Sequence, residues 1–175
     1  MPIDTKKKFI SLNFCIAVIS DTRSINDDKS GLILEQKIIQ SGHTVYSKEF
    51  IKDDSKKIIS YIKECLNLKN INMILLTGGT GLTGRDSTPE AVKKVIEKEI
   101  PGFGEIFRMI SFEKIGASAI QSRAIAGIAR DKFIFAIPGS PSACSDAWEN
   151  ILKYQCDNRF KPCNLVELIP RLLEK

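Results

Sequence analysis

The chain has 175 residues and a mass of 19.5 kDa, enough for one domain with a full core and too little for two large ones. Apolar residues make up 43% and charged residues 27%, a balance that excludes a disordered or fibrous protein. The 26 basic and 21 acidic residues leave a formal net charge of +5, which is too small and too dispersed to indicate DNA or RNA binding.

The N-terminus and the cysteines indicate the compartment. The start of the chain lacks an apolar segment ending in small residues, and no stretch approaches the roughly 18–20 apolar residues of a membrane span. The five cysteines are odd in number and none forms a C-x-x-C pair, which argues against a disulfide framework or a zinc site. We therefore expect a cytoplasmic protein with no membrane and no nucleic-acid partner, in which cysteines such as Cys15 act as small core residues.

Strands and helices alternate in the first half of the chain. Short apolar runs predict buried strands, and apolar residues at helical spacing predict helices. The predicted elements are a strand over 14–20, a helix over 30–41, a strand over 43–51, a helix over 55–68 and a strand over 73–76. This alternation predicts right-handed crossovers and a parallel sheet that is covered on both faces.

The second half continues the pattern and adds a hairpin. A third helix is predicted with Thr88 as N-cap and Pro89 at its first position, until Pro101-Gly102 breaks it. Two apolar runs separated by a short polar turn then predict a hairpin, flanked by two further helices. These four elements are a helix over 104–115, strands over 124–129 and 132–137, and a helix over 142–154. We assign residues 1–11 to a flexible N-terminal arm and 12–175 to a single α/β domain.

The loop over residues 77–86 follows the third strand and is rich in glycine, with four glycines in seven residues from Gly78 to Gly84. Glycines let backbone N–H groups turn towards a ligand, which favours an anion site. Arg85 has the charge to neutralise phosphate, and the Asp86 carboxylate suits Mg²⁺. Ligands of open α/β sheets bind outside the carboxyl ends of the strands. There this loop is expected beside residues 138–142 and beside residues 20–21, whose loop has a tail that runs to residue 30.

Two nucleotide-binding motifs match this loop only in part. The glycines of residues 79–84 fit G-x-G-x-x-G, but the next helix starts late, at Pro89, and the candidate ribose-binding acid Glu99 falls within a predicted helix. The same residues approach the P-loop spacing, but Arg85-Asp86 stands where Lys-Ser/Thr is required. The context therefore disfavours both a dinucleotide-dependent oxidoreductase and a Walker-type NTPase.

Two neighbouring aspartates follow the second strand. Asp54 is expected to cap the next helix. Asp53 lies at the strand's carboxyl end, where it either caps the helix as well or faces the same crevice as Asp86, and a pair of carboxylates there would hold Mg²⁺. His43 is the sole histidine, which argues against a histidine-based triad or metal cluster, and we expect it to be structural.

The motifs taken together resemble one family. Thr77-Gly78-Gly79-Thr80-Gly81 and Arg85-Asp86-Ser87-Thr88-Pro89-Glu90 are similar to the signature of the molybdopterin-binding MoaB/MogA family. The resemblance extends over roughly residues 12–165 and includes 101–109, 111–113, 121–124, 135–140 and 147–150, the last three being more similar to B-type members. It implies a three-layer αβα fold with a mostly parallel sheet and one antiparallel hairpin strand.

The resemblance also implies a reaction. Enzymes of the family use Mg-ATP to adenylylate the terminal phosphate of molybdopterin and release pyrophosphate. By their match to the family's motifs, Asp86 and Asp53 are the expected catalytic residues and Mg²⁺ ligands, with ATP and molybdopterin as substrates. The expected substrate-binding residues are Thr77, Gly78, Gly79, Thr80, Gly81, Ser20, Asp21, Ser111, Gly139 and Ser140.

Partners and alternatives follow from the same resemblance. It implies a homotrimer or hexamer and a metal-insertion protein as partner, with apolar Phe107, Met109 and Ile110 as interface candidates that core packing explains equally well. Lys52 and the segment 82–84 depart from the family's pattern, so a non-catalytic molybdopterin or molybdenum cofactor carrier is the alternative, and a scaffolding role is a third. Retention of both aspartates favours the enzyme.

Overall fold

The computed structural model describes residues 3–21 and 27–174. The strands are β1 (Asn13–Ile19), β2 (Thr44–Ile51), β3 (Met73–Thr77), β4 (Lys98–Glu99), β5 (Ile125–Ala129) and β6 (Lys132–Ile137). The α-helices are α1 (Lys29–Gln40), α2 (Ser55–Asn67), α3 (Thr88–Lys93), α4 (Pro101–Ile115), α5 (Pro141–Ala147) and α6 (Lys153–Gln155). A π-helical segment, Trp148–Leu152, joins α5 to α6, and 3₁₀ helices span Gly116–Gln121 and Val166–Arg171.

The six strands form one sheet in the order β2-β1-β3-β6-β5-β4. Strand β1 pairs in parallel with β2 and β3, and β3 pairs in parallel with β6. Strand β5 runs antiparallel to both of its neighbours, β6 and β4. The predicted mostly parallel sheet with an antiparallel hairpin strand is confirmed.

Helices cover both faces of the sheet. Phe14 and Ile16 of β1 belong to a core shared with α1, α4 and α5, whereas Cys15 and Ala17 belong to a second core shared with α2 and α3. Because both sides of β1 are buried, its sequence is a continuous apolar run instead of an alternating one. The three-layer αβα arrangement is confirmed, and Cys15 is a buried core residue with a free thiol, as predicted.

Two other sequence predictions about packing have clear outcomes. His43 is buried, its Nδ1 accepts a hydrogen bond from the Leu12 N–H (3.1 Å), and burial lowers its pKa to about 4, so its structural role is confirmed. Trp148 is a core residue. Of the apolar residues of α4, Phe107 is buried in the core and Ile110 packs against it, while Met109 is exposed.

The starts of the third and fourth helices differ from the prediction. Ser87 is the N-cap of α3, and the Thr88 side chain is buried, so Thr88 was wrongly predicted as the cap. Pro101 opens α4 because a first helical residue needs no N–H donor, where the sequence predicted only a break. Glu99 lies on the edge strand β4 and not in a helix, since a strand of two residues is too short to leave a periodic pattern.

The described part of the N-terminal arm lies against the C-terminal segment. Ile3 forms an antiparallel bridge with Phe160, and the Ile10 N–H donates to Asn158 Oδ1 (2.9 Å). The division of the chain at residue 12 and the flexibility of the arm stay predictions. Within the described ranges, no helix is long and apolar enough to cross a membrane.

Candidate functional site

A cleft of about 690 Å³ opens at the carboxyl ends of β1, β3 and β6. Eleven of the predicted site residues line it. They are Ser20, Asp21, Asp53, Gly78, Gly79, Thr80, Gly81, Asp86, Ser111, Gly139 and Ser140. Thr77 and Arg85 are not among the described lining residues, and the buried Thr77 hydroxyl donates to the Pro138 carbonyl (3.3 Å). The predicted tail of the first loop includes residues 22–26, which lie outside the described residues.

The parallel strands explain why residues far apart in sequence meet here. Strands β1, β3 and β6 are neighbours that run in the same direction, so the loops that follow them emerge at the same edge of the sheet. Asp53 arrives from the same edge because β2 pairs in parallel with β1. Topology therefore brings together segments that are up to 120 residues apart, from Ser20 to Ser140.

The glycine loop needs glycine at positions 78 and 79. Gly78 and Gly79 have φ angles of +105° and +62°, which side chains rarely tolerate. A Cβ on Gly79 would also lie 2.5 Å from Asp53 Oδ2 and 2.4 Å from Thr88 Oγ1. The absence of a side chain thus lets the loop backbone approach the Asp53 carboxylate closely.

Part of the predicted amide cradle is used inside the protein. The Gly78 N–H donates to the Ile137 carbonyl (3.0 Å), which ties the loop to β6. The Thr83 N–H donates to Asp86 Oδ2 (3.0 Å). The amides of Gly79 and Thr80 are consequently the better candidates for contact with a bound phosphate.

Asp53 is held in place by the start of α3. Its Oδ1 accepts hydrogen bonds from the Ser87 N–H (3.1 Å) and the Ser87 hydroxyl (2.9 Å), while its Oδ2 faces Gly79. The Asp53 N–H donates to Asp21 Oδ1 (3.2 Å). The helix cap is supplied by Asp54 instead, which accepts from the Lys57 N–H (3.0 Å), as predicted. Of the two readings left open for Asp53, the structure favours the crevice.

Asp86 lies within the glycine loop, and its environment favours the carboxylate. The pKa of Asp86 is lowered, first by the Thr83 hydroxyl and then by the N–H groups of Thr83 and Gly81, with a smaller effect of the Arg123 charge. These donors stabilise the charged form of the acid. Asp86 is therefore ionised at neutral pH and able to bind a cation.

The cleft is acidic, and this bears on its ligands. Its described lining residues include four aspartates and one lysine, Lys114, which forms an ion pair with Asp146. Phosphate groups would be repelled by such a surface without a cation. Mg²⁺ commonly binds one or two carboxylates and completes its shell with water and substrate phosphates. Asp53 and Asp86 fit that pattern.

Two further observations concern the metal. In residues 3–21 and 27–174 there is no group of three or more His, Cys, Asp or Glu side chains that would hold a metal by itself. The buried Thr88 hydroxyl, on the Gly79 side of Asp53, has no hydrogen-bond partner in the described structure. The donor set is thus all oxygen and incomplete, which suits Mg²⁺ held jointly with a substrate and does not suit a structural Zn²⁺.

Apart from Ser111 and Ser142, the sequence analysis missed a further wall of the cleft. It consists of polar residues from α4, the following 3₁₀ helix and α5. They are Ser111, Lys114, Ser118, Gln121, Ser122, Ser142 and Asp146. Polar residues on a helix usually form a solvated face, so periodicity alone gave no signal for them.

Comparisons with known proteins agree on one family. Residues 15–158 match the family described as "Probable molybdopterin binding domain". The chain is 43% identical over 157 residues to the molybdenum cofactor biosynthesis protein B of Escherichia coli K12, covering 90% of this chain and 92% of that protein. It is 36% identical over 148 residues to the "Probable molybdopterin adenylyltransferase" of Methanocaldococcus jannaschii, covering 81% and 88%.

Solved structures agree with the sequence relatives. The fold is similar to the crystal structure of a molybdenum cofactor biosynthesis protein B, with a TM-score of 0.86, 36% identity, and coverage of 97% of this chain and 100% of that chain.

Proposed function

The chain belongs to the MoaB/MogA family of molybdopterin-binding domains, and from this premise we propose that it acts in molybdenum cofactor biosynthesis as a Mg-ATP-dependent molybdopterin adenylyltransferase. One observation carries the proposal: Asp53 and Asp86, from different strand ends, line a single cleft with the glycine loop. We infer from that arrangement a cation site and a phosphate site next to each other.

The proposed reaction is a nucleotidyl transfer. An oxygen of the terminal phosphate of molybdopterin attacks the α-phosphorus of ATP, the bond from that phosphorus to the bridging oxygen of the β-phosphate breaks, and pyrophosphate leaves. The attacking phosphate is already ionised at neutral pH, so the step requires no general base. This agrees with a sole histidine that is buried and packed between Phe9 and Phe14, away from the residues that line the cleft.

The protein's contribution is then positioning and electrostatics. Asp53 and Asp86 would hold Mg²⁺ against the triphosphate, where the ion would offset the negative charge of the reacting groups. The amides of Gly79 and Thr80 would bind a phosphate. Ser20, Asp21, Ser111, Gly139 and Ser140 would contact the nucleotide and the pterin.

The test is release of pyrophosphate from Mg-ATP by the purified protein, with and without molybdopterin. We expect release that requires the pterin and is lost in Asp86→Asn, while pterin binding stays nearly intact. Asp54→Asn is the matched control, because it removes a neighbouring carboxylate that lies outside the cleft and Asn still caps a helix. Full activity of Asp86→Asn would refute the assignment. Tight pterin binding by the wild-type protein without any release of pyrophosphate would identify a carrier.

We also propose that the protein self-associates through α4, as the family resemblance implies. Ile106, Met109 and Phe112 follow one another at three-residue spacing on this helix and are 49%, 69% and 62% exposed. Apolar residues grouped in this way favour burial against another surface. A trimer or hexamer is the expected state, and sedimentation would measure it. The metal-insertion partner and the cytoplasmic location stay predictions.

A further inference from the structure

Arg123 is connected to the glycine loop from outside the cleft. It precedes β5, its side chain is 26% exposed, and it is not among the described residues that line the cleft. Its Nε donates to the carbonyl of Gly81 (2.7 Å) and more weakly to that of Thr80 (3.3 Å), and its Nη2 donates to the carbonyl of Asp86 (2.8 Å). Its Nη1 forms an ion pair with Glu90.

Two of these carbonyls belong to peptide groups whose N–H donates a hydrogen bond to an aspartate of the cleft. In a trans peptide the N–H of the next residue points away from the carbonyl. The Asp86 carbonyl is bound by Arg123, and the Ser87 N–H of the same peptide donates to Asp53 Oδ1 (3.1 Å).

The second peptide repeats the arrangement. The Thr80 carbonyl faces Arg123, and the Gly81 N–H of the same peptide donates to the Asp86 carboxylate. Asp86 also lies directly against Gly81, since a Cβ there would be 2.8 Å from Asp86 Oδ2. One guanidinium therefore donates to both of the peptide groups whose N–H groups bind the two carboxylates.

We propose that Arg123 is a positioning residue that fixes Asp53 and Asp86 for a divalent cation by holding the two peptides that donate to them. A guanidinium suits this task because it offers several N–H donors in a rigid plane, whereas a lysine offers one compact charge. The inference rests on the proposed function, in which these two aspartates bind the metal.

A purely structural role for Arg123 would act through its ion pair with Glu90. The chain offers a matched control for this alternative. Glu90→Gln removes the ion pair, on a side chain that is 53% exposed, and leaves the three carbonyl contacts of Arg123 in place. Arg123→Gln removes the positive charge and most donors, and Arg123→Lys keeps the charge but loses the planar donor array.

The experiment measures the loop and the metal without relying on turnover. Amide exchange of Gly81 and Ser87 is followed by NMR in all four proteins, and Mn²⁺ is titrated by its broadening of nearby amide signals. In both Arg123 variants we expect faster exchange at these two amides and about tenfold more Mn²⁺ for the same broadening, the size expected for loss of a residue that supports a metal ligand. Glu90→Gln should behave as wild type.

Kinetics add a readout that misfolding would not imitate. Because Arg123 lies outside the cleft lining, its substitution should lower kcat for pyrophosphate release and leave KM for molybdopterin within about twofold. If Arg123→Gln does not fold, Arg123→Lys carries the same tests. The proposal would be overturned by folded Arg123 variants that show wild-type amide exchange and need no more Mn²⁺ than the wild type for the same broadening. Failure of the proposed function is seen separately, as a wild-type protein that binds Mn²⁺ and releases no pyrophosphate.

Discussion

The carbonyl oxygen of Ile19 lies 2.2 Å from the point that a Cβ on Gly78 would occupy. Ile19 ends β1 and Gly78 directly follows β3, so two neighbouring strand ends that line the cleft meet at this approach. The carbonyl belongs to a strand that is paired on both sides and has little freedom to move. The glycine loop is therefore fixed to the sheet at Gly78.

Substitution of Gly78 by alanine should destabilise the protein. The new Cβ would clash with the Ile19 carbonyl at a φ of +105°, and strain of this kind amounts to about 1–3 kcal/mol of unfolding free energy or more. Urea unfolding would measure it. Gly84→Ala is the control, because a Cβ on Gly84 has nothing within 4 Å, and its effect should stay within about 0.5 kcal/mol. Equal stability of the two variants would contradict the geometry.

His43 should make stability depend on pH. Burial lowers its pKa to about 4 from the ordinary 6.5, and nearby Asp157 opposes this only in part. Below pH 6.5 the unfolded chain takes up a proton that the folded chain refuses, so stability is complete above 6.5 and declines as pH falls towards 4. The loss is on the order of 3 kcal/mol, at 1.36 kcal/mol per pKa unit.

Two measurements check this pH dependence. The sole histidine gives a single set of imidazole signals in NMR, whose titration reports the folded pKa directly. Urea unfolding across the same pH window should show a slope that largely disappears in His43→Gln. A folded-state pKa near 6.5 would contradict the prediction.

Truncation of two apolar residues of α4 should change the unfolding free energy by very different amounts. Phe107 is buried in the core, so Phe107→Ala should lower the unfolding free energy by about 3–5 kcal/mol. Met109 is exposed, so Met109→Ala should change monomer stability by no more than about 0.5 kcal/mol. If α4 is an interface between copies, only Met109→Ala should weaken self-association while leaving the protomer intact. Sedimentation of both variants decides between interface and inert surface.

Lys114 should contribute modestly to anion binding. It is the cation among the described lining residues of an acidic cleft, but its side chain is 55% exposed and paired with Asp146. Solvent screening limits such a charge to about 1 kcal/mol, so Lys114→Met should weaken binding of Mg-pyrophosphate by about two- to fivefold. Lys63→Met, an equal change of net charge on α2 outside the cleft, is the control. Equal effects in a calorimetric titration would assign the loss to net charge alone.

The sequence predicted the architecture because the inner strands β1, β3 and β6 are almost wholly buried. Such strands appear as short apolar runs, for example residues 73–76, and their alternation with helices indicates a parallel sheet. The carboxyl-end rule then brought most candidate residues to one cleft, but neither Thr77, whose hydroxyl donates to the Pro138 carbonyl, nor Arg85 lines it.

The parts that the sequence did not predict depend on tertiary contacts. Ser87 occupies the N-cap position of α3 while its hydroxyl and its N–H donate to Asp53, and no local pattern separates Ser87 from Thr88 at this position. Arg123 acts through carbonyl oxygens, and a backbone acceptor leaves no mark in the side-chain sequence. The cleft wall formed by α4, the following 3₁₀ helix and α5 was largely missed for a related reason, since its polar residues face a cavity that only the folded chain creates.

The cleft also determines how the protein should respond to its ligand as a whole. Its residues come from separate segments that span most of the chain, so no short fragment contains the site and a ligand binds only the folded state. Binding is then coupled to global unfolding, and a ligand at a hundred times its Kd raises the unfolding free energy by about 2.7 kcal/mol. Thermal melting in the presence of equal concentrations of candidate nucleotides and pterins would therefore rank them by affinity without a catalytic assay.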